Sequence, residues 1–432
     1  MSDLRHPVRL LASAEFARAY TLVVLVATFA ALPIERLTSH VTSVTIVVVL
    51  AAVGVAVLFA RREELSLLRL APTSLIGFVV LALLSVFWSS AGGATLTGWA
   101  TMFGYAVLAI TVGHVRDTLQ TVRAIGDVLR WLLGASLLLE IIAGVLLDTS
   151  IPLLGIEGNI AGGGSLQGIF GTRNMLGFIA VIALITFVIE WRTQSVTPAL
   201  AVCSVALGAF LALRSASPTV IVLAAAVGVA TLALTIVRHA PAERRSLVQW
   251  VLGGVVAVGL IAALVLRHQI IRVLDAGSDF SMRADLWNSI LDFVGQQPVI
   301  GWGWMGGWPP TQFPYLYINI LLDQQHRSAL NAYFDVVLQL GAAGLILFLL
   351  LGGVAVVRSW LVASVRRSVV YAWTPLVLVT LAVDSMFESF TLVGVGWFML
   401  VLCALRAGQT RSWRENIDAA QTGVIPTLPP KE

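Results

Sequence analysis

Arg214 stands in the run Arg214-Ser215-Ala216-Ser217-Pro218, where a guanidinium is followed by two hydroxyls and by a proline suited to opening a helix. A guanidinium grips phosphate oxygens bidentately and keeps its charge at every accessible pH. A helix N-terminus at Pro218 would itself attract an anion. Arg283 is the second such residue, and the two together suit a diphosphate; the plainer readings are a snorkelling Arg214 and a solvated helix face for Arg283. Arg173, beside Asn174, follows a glycine-rich stretch that contains Gly162, Gly163 and Gly164. His326 has no Cys or carboxylate partners at ligand spacing, so no metal is expected, and the choice is a general base or a surface histidine. Glu140, Asp335, Asp384 and Glu388 fall within or beside apolar runs, where an ionisable group is a functional candidate by default. Asp384 and Glu388 share one helical face, so they suit positioning an acceptor hydroxyl, relaying a proton or pairing with the arginines. Glu140 reads as a hydrogen-bonded structural acid.

These residues must be held by membrane helices. Of 432 residues, 58% are hydrophobic and only 12% charged, with a mean hydropathy of +0.91. Soluble domains carry about 25% charged residues, so a soluble globular protein is excluded. The expected fold class is all-α, a polytopic transmembrane protein of about 12 spans with a large extracytoplasmic loop between spans nine and ten. The spans fall near 16–34, 41–60, 72–89, 94–113, 128–147, 174–190, 197–213, 218–237, 248–266, 330–357, 371–386 and 390–405. The domain reading is a cytoplasmic tail over 1–15, nine spans within 16–266, an outer cap over 267–329, three spans within 330–406 and a cytoplasmic tail over 407–432. The first apolar run continues into the multi-span pattern, so no cleaved leader is expected. Cys203 and Cys403 both lie in apolar runs and read as packing residues. Basic residues are dispersed, which gives no nucleic-acid footprint.

With both termini inside, twenty of the 27 Lys and Arg fall on the inner side, as the positive-inside rule asks. The other seven are Arg36, Arg173, Arg214, Arg267, Arg272, Arg283 and Arg327, and topology gives them no reason to exist. Within the cap, 280–293 reads as an amphipathic helix with Leu286, Ile290 and Phe293 on one face. It is followed by Gly301-Trp302-Gly303-Trp304-Met305-Gly306-Gly307-Trp308-Pro309-Pro310, where three tryptophans suit either interfacial anchoring or sugar stacking.

Several of these motifs resemble the O-antigen ligase and polymerase family. Ser281-Met282-Arg283-Ala284-Asp285-Leu286-Trp287 followed by Pro298-Val299-Ile300-Gly301-Trp302-Gly303 looks like its Arg-x-x-x-Trp and Pro-x-x-Gly-x-Gly pattern. Asn331-Ala332-Tyr333-Phe334, ending in Gln339-Leu340-Gly341-Ala342-Ala343-Gly344, is similar to the motif that opens the helix after the large loop. Gly171-Thr172-Arg173-Asn174-Met175-Leu176-Gly177 resembles the family's Gly-x-x-Asn-x-x-Gly element, and the turn at 214–219 matches another. The resemblance covers roughly residues 168–344. It implies a bacterial plasma-membrane glycosyltransferase that needs no cofactor and no metal. Such an enzyme moves glycan from an undecaprenyl-diphosphate-linked oligosaccharide to a glycan, lipid or protein acceptor outside the membrane. Arg214, Arg283 and His326 would be catalytic, and Arg173, Asn174, Ser215, Ser217, Trp287, Asn331 and Glu388 would bind substrate. The family places a histidine where this chain has Leu330. His326 lies four residues earlier, and an early start to span ten would put it on the same helical face; Glu388 and Asp384 are the alternative bases, and an inactive member is a third possibility. A capsule- or exopolysaccharide-type polymerase is favoured over a ligase, with a secondary transporter or flippase as the rival outside enzymes. Transporters of that kind usually have two similar halves, and no internal repeat is visible here.

Overall fold

Short polar side chains open the helices that the apolar runs require. Ser13, Ser39, Asp117, Thr172 and Asn331 each accept a hydrogen bond from a backbone N–H of the first turn that follows them, and Asp117 forms a reciprocal capping box with Gln120. Pro198 and Pro218 stand at the first helical position of two others. The computed structural model describes residues 11, 13–62, 70–241, 243–266, 269 and 277–409. Arg267, Arg272, residues 410–432 and most of the N-terminal tail, all assigned above, lie outside the described residues.

The chain order is α1 (Ala14–Phe29), α2 (Ala31–Leu37), α3 (His40–Ala60), α4 (Thr73–Leu84), α5 (Gly92–Val115), α6 (Thr118–Ile141), α7 (Arg173–Arg192), α8 (Pro198–Arg214), α9 (Pro218–His239), α10 (Arg245–Val265), α11 (Gly277–Gln296), α12 (Tyr315–Leu322), α13 (Ala332–Val365), α14 (Trp373–Asp384) and α15 (Gly394–Gln409). Among the described residues the only β pairing is a single bridge between Ile151 and Ile156. Among the described residues six helices are long and apolar enough to cross a membrane: α3, α5, α6 with the turn that extends it, α7, α9 and α13. A seventh candidate is the pair α1 and α2, bent by 72°, and five shorter apolar helices accompany them. Span one, expected as one run over 16–34, is therefore broken at Ala30, where the backbone leaves the helical region.

Between helices in a bilayer, packing and hydrogen bonds replace the hydrophobic drive. α7 runs through the middle, with 72% of its apolar stretch buried against 17% for α3. The largest fully buried side chains include Phe178 and Phe187 of α7 itself and Trp304, Trp373 and Trp397 from other elements. Two indole N–H groups in this core find acceptors: Trp373 donates to Thr186 Oγ1 at 3.1 Å and Trp397 to the Met102 carbonyl at 2.9 Å.

α13 is broken at Gly341, with φ 63° and ψ −164°, a conformation open in practice only to glycine. The break receives residues 298–303. Trp302 N and Gly303 N donate to the carbonyls of Leu338 and Gln339, while Ala342 N and Ala343 N donate to those of Pro298 and Val299, at 2.8–3.1 Å. A Cβ on Gly341 would lie 2.3 Å from the Val299 carbonyl, and one on Gly301 2.5 Å from Gln339. Two motifs some forty residues apart therefore form one interlocked backbone clasp, which opens a span expected to be continuous.

The glycines at 301, 303 and 306 all have positive φ and curl this segment inward. Trp304 and Trp308 consequently turn into the protein and are buried, while Trp302 is half-buried. Trp304 meets the Phe78 ring edge-on at 5.4 Å, Trp302 donates to the Phe293 carbonyl at 3.1 Å, and Trp308 is buried against Tyr315. The expected amphipathic helix is present as α11, with Leu286, Ile290 and Phe293 buried against the segment 304–318 and the start of α13.

Candidate functional site

At one end of the bundle, four stretches of chain converge on two side chains, Asn174 and Glu388. Thr172 caps α7, so Asn174 enters the first turn and its amide projects towards the turn that joins α8 to α9. Its Oδ1 accepts from Ser217 Oγ at 2.7 Å and its Nδ2 donates to Glu388 Oε1 at 2.7 Å. Gly177, one turn later, has Val220 and Ser215 against the place of its missing Cβ, which lets that turn approach α7. Ser217 also shares a 2.7 Å hydrogen bond with Thr219.

Glu388 follows α14 in the short link to α15. Its Oε1 accepts a second bond, from Arg283 Nη2 at 3.1 Å, an ion pair whose side chains are only 15% and 6% exposed. Arg283 Nη1 donates to the Leu330 carbonyl at 3.0 Å and also to that of Phe387. Arg283 reaches this position because α11 is braced one turn further on. There the Trp287 indole donates to the Ala329 carbonyl at 2.9 Å and its ring stacks on Phe334 at 5.3 Å. Asn331 fixes the other side, capping α13 through Tyr333 N and Phe334 N and donating to the Met386 carbonyl at 3.0 Å. Trp287 and Asn331, expected to bind substrate, thus serve here as braces. Leu330, at the position where a histidine was expected, has a positive φ of 50° and offers Arg283 its carbonyl.

Arg214 ends α8 three residues before Ser217. Its guanidinium donates to the Gly164 carbonyl at 3.1 Å and, less closely, to those of Gly163 and Ile160. The glycine-rich loop therefore holds Arg214 through neutral acceptors, whereas a carboxylate holds Arg283. Ser215 gives its hydroxyl to the Ala212 carbonyl and acts within the helix end. Arg173 is exposed at the first position of α7. Arg36, which the sequence marked only as an outside arginine, lies beside Gly171, with Nη2 3.4 Å from where a Cβ would stand. It donates to the Leu154 carbonyl.

The carboxylates divide by role. Asp335 is fully buried and accepts four bonds: from Trp308 Nε1 at 2.5 Å, Ser389 Oγ at 2.5 Å, Ala329 N at 3.0 Å and Gln339 Nε2 at 3.4 Å. Gln339, which the sequence did not single out as a site residue, holds the amides of Met305 and Gly306 at 2.7 and 3.0 Å. Together they tie the 301–308 segment to α13. Glu140 accepts from Gly168 N at 2.9 Å, the structural role expected of it. Asp384 is 1% exposed, and neither of its oxygens has a hydrogen-bond partner among the described residues.

His326 does not share a helix with Leu330, because α13 begins only at Ala332 and residues 323–330 form an irregular loop. The early start to span ten that this arrangement would need does not occur: Asn331 caps the helix, and a positive φ at Leu330 bars helix before it. His326 is instead held by its backbone, with its N–H on Asn319 Oδ1 at 2.9 Å and its carbonyl accepting from Asn319 Nδ2 at 3.2 Å. Its Nε2 is buried without a partner among the described residues, and burial pulls its pKa below the ordinary imidazole value. Among the described residues no group of three or more His, Cys, Asp or Glu side chains could hold a metal ion.

Chemically, the Ser217–Asn174–Glu388–Arg283 network offers one guanidinium and a carboxylate able to accept a proton, and the Arg214 guanidinium, three residues before Ser217, rests on the carbonyls of the glycine-rich loop. No protein-family model matches the chain, and no curated protein matches it.

Proposed function

We propose that this chain is a bacterial plasma-membrane glycosyltransferase that uses an undecaprenyl-diphosphate-linked oligosaccharide, with a polymerase of exopolysaccharide or O-antigen type favoured over a ligase. The observation that carries the reading is the continuous chain of contacts Ser217–Asn174–Glu388–Arg283, which gathers four distant stretches at one end of the bundle with Arg214 three residues away. Twelve spans, with both termini cytoplasmic and 267–329 as an extracytoplasmic cap, belong to the same reading. In this reading the bent pair and the five shorter apolar helices are taken as the spans beyond the six long ones.

In this reading Arg283 and Arg214 neutralise charge that develops on the departing diphosphate, a preorganised electrostatic role that would be weaker in water. Arg214 exchanges its three loop carbonyls for phosphate oxygens. The acceptor hydroxyl attacks the anomeric carbon, the bond from that carbon to the diphosphate oxygen breaks with its electron pair leaving on the diphosphate, and the hydroxyl proton passes to Glu388. Oε1 of Glu388 carries both the Asn174 and Arg283 bonds, which leaves Oε2 for the acceptor. Attack opposite the leaving group inverts the anomeric carbon. Glu388 is preferred to His326 as base because Glu388 belongs to the arginine network, whereas His326 is locked to Asn319.

The test is lipid-linked glycan analysis in a deletion strain complemented with the parent chain or with Arg214→Ala, Arg283→Ala, Glu388→Gln or His326→Ala, at matched membrane levels. Loss of either arginine should cut product by about 10²–10³-fold, the usual effect of removing one such donor. Single lipid-linked repeats accumulating would mark a polymerase, and long lipid-linked chains without their final acceptor a ligase. Unchanged glycan pools in all variants would sink the enzyme reading and favour a transporter.

A further inference from the structure

Arg36 shares the outer end of the bundle with Arg214 and Arg283 in the topology proposed above, and the break in the first span is what brings it there. α2 leaves α1 at 72° and packs against the turn at 168–170 that precedes α7. The Arg36 guanidinium then rests between two glycines of positive φ. A Cβ on Gly155 would fall on its Nη1, and one on Gly171 would lie 3.4 Å from its Nη2. A side chain at 155 would therefore push the guanidinium out of its seat. The same stretch of chain carries Arg214. Gln167 Nε2 donates to the Gly155 carbonyl, Leu166 N donates to the Arg214 carbonyl at 2.9 Å, and Gly168 N donates to the buried Glu140 at 2.9 Å. Residues 154–168 thus form one pinned loop, with Arg36 against one part of it and Arg214 against another.

Neither guanidinium has a counter-charge among the described residues. Arg36 donates from Nη1 to the Leu154 carbonyl and makes no other hydrogen bond or ion pair there, while Arg214 has only the carbonyls of Ile160, Gly163 and Gly164. The carboxylates on the same elements have other partners: Glu35 pairs with His40 at 3.1 Å, and Glu157 accepts from Asn159 at 2.6 Å. Both arginines are half-buried, so each loses part of its water and receives carbonyl dipoles alone in return. Such dipoles hold a guanidinium in place without cancelling its charge. A cation in that state, with N–H donors unspent, is suited to grip the oxygens of a phosphate or carboxylate bidentately. Arg283 is the contrast, because Glu388 already balances it.

We propose that Arg36 is a further substrate-binding residue, a guanidinium seated against the same loop as Arg214 that pairs with an anionic oxygen group, phosphate or carboxylate, of the lipid-linked substrate. The inference deepens the glycosyl-transfer reading and rests on it for the identity of the ligand. Two parts of that ligand carry the required chemistry, the carrier's diphosphate and an acidic substituent on the glycan. In either case Arg36 governs how tightly the substrate is held and takes no part in bond making.

Arg36→Gln and Arg36→Lys separate this role from a mere tie between α2 and the loop. Glutamine keeps a donor for the Leu154 carbonyl but no charge, whereas lysine keeps the charge. Each purified full chain is titrated in detergent, at low and raised salt, with undecaprenyl diphosphate and with lipid-linked repeats extracted from the deletion strain. Arg36→Gln should weaken binding by about tenfold, equivalent to about 1.4 kcal/mol. Arg36→Lys should lose less, and the gap between parent and Arg36→Gln should narrow as salt screens the contact. Equal weakening for both ligands assigns the anion to the diphosphate, and weakening confined to the lipid-linked repeat assigns it to the glycan. Parental binding of both ligands by Arg36→Gln overturns the proposal, as does an equal, salt-independent loss in the two variants, which a structural tie would give. Arginine modification of the parent chain by phenylglyoxal, read by peptide mass spectrometry, needs no variant to fold: bound undecaprenyl diphosphate or lipid-linked repeat should protect Arg36, and unchanged labelling at saturation with both overturns the proposal. Parental glycan pools in the Arg214→Ala and Arg283→Ala strains, with binding still lost in Arg36→Gln, would remove the transfer reading and leave the anion contact standing.

Discussion

Removing either member of the Arg283–Glu388 pair should destabilise the protein far more than the surface ion pair it might be taken for. The side chains are 15% and 6% exposed, and deleting one partner of a buried pair typically costs about 3–5 kcal/mol because the other charge is stranded. Glu388→Met leaves Arg283 with only the Leu330 and Phe387 carbonyls. Arg283→Met leaves Glu388 with Asn174 and deprives those two carbonyls of their donor. The double variant strands neither charge, so its cost should fall short of the summed single costs by about 2 kcal/mol, within the range found for directly contacting residues. The measurement is a double-mutant cycle by denaturant unfolding of the purified chain in detergent, with proteolysis of 277–331 as a local readout. Additivity to within about 0.5 kcal/mol, with each single change costing under about 1 kcal/mol, would refute the reasoning and reduce the contact to an incidental one.

Two further outcomes follow from the segments that frame this pair. Gly341→Ala combines a backbone conformation that costs other residues about 1–3 kcal/mol with a Cβ 2.3 Å from the Val299 carbonyl. It should therefore break the clasp to 298–303 and expose 301–308 to protease while α7 stays protected, and resistance equal to that of the parent would count against the clasp. Burial holds the His326 pKa below its ordinary value, so the unfolded loop binds a proton more readily than the folded one. Its contribution to stability is then complete above about pH 6.5 and is lost as pH falls from there towards the folded value. Protection factors over 315–331, corrected for the intrinsic pH dependence of amide exchange, should fall as pH drops below about 6.5 in the parent and lose that dependence in His326→Asn.

The sequence alone determined the helical character, the approximate position of the long apolar helices and the amphipathic face of α11, but not the apolar helix α12 or the break within the first span. Each feature so determined is a local property: an apolar run has to satisfy its own backbone in a bilayer, and the residue that opens a helix caps it within four positions. Arg214, Arg283 and Glu388 stood out in the sequence because charged groups at the ends of apolar runs have few structural excuses, and Asn174 through the motif resemblance. Their partners were not legible. Asn174 and Glu388 are 214 residues apart, and no periodicity encodes that meeting. The same holds for the Gly301 and Gly341 clasp, for Asp335 as a hub that binds Trp308 and Ser389, and for the inward turn of Trp304 and Trp308 that composition placed at an interface. His326 failed as a helical neighbour of Leu330 for a reason confined to one residue's backbone, the positive φ at 330. Sequence thus fixes which groups are available and roughly at which end of each helix they stand. Only the packing of α7 against its neighbours decides which carboxylate answers which arginine, because a hydrogen bond depends on a few tenths of an ångström that only the assembled bundle sets.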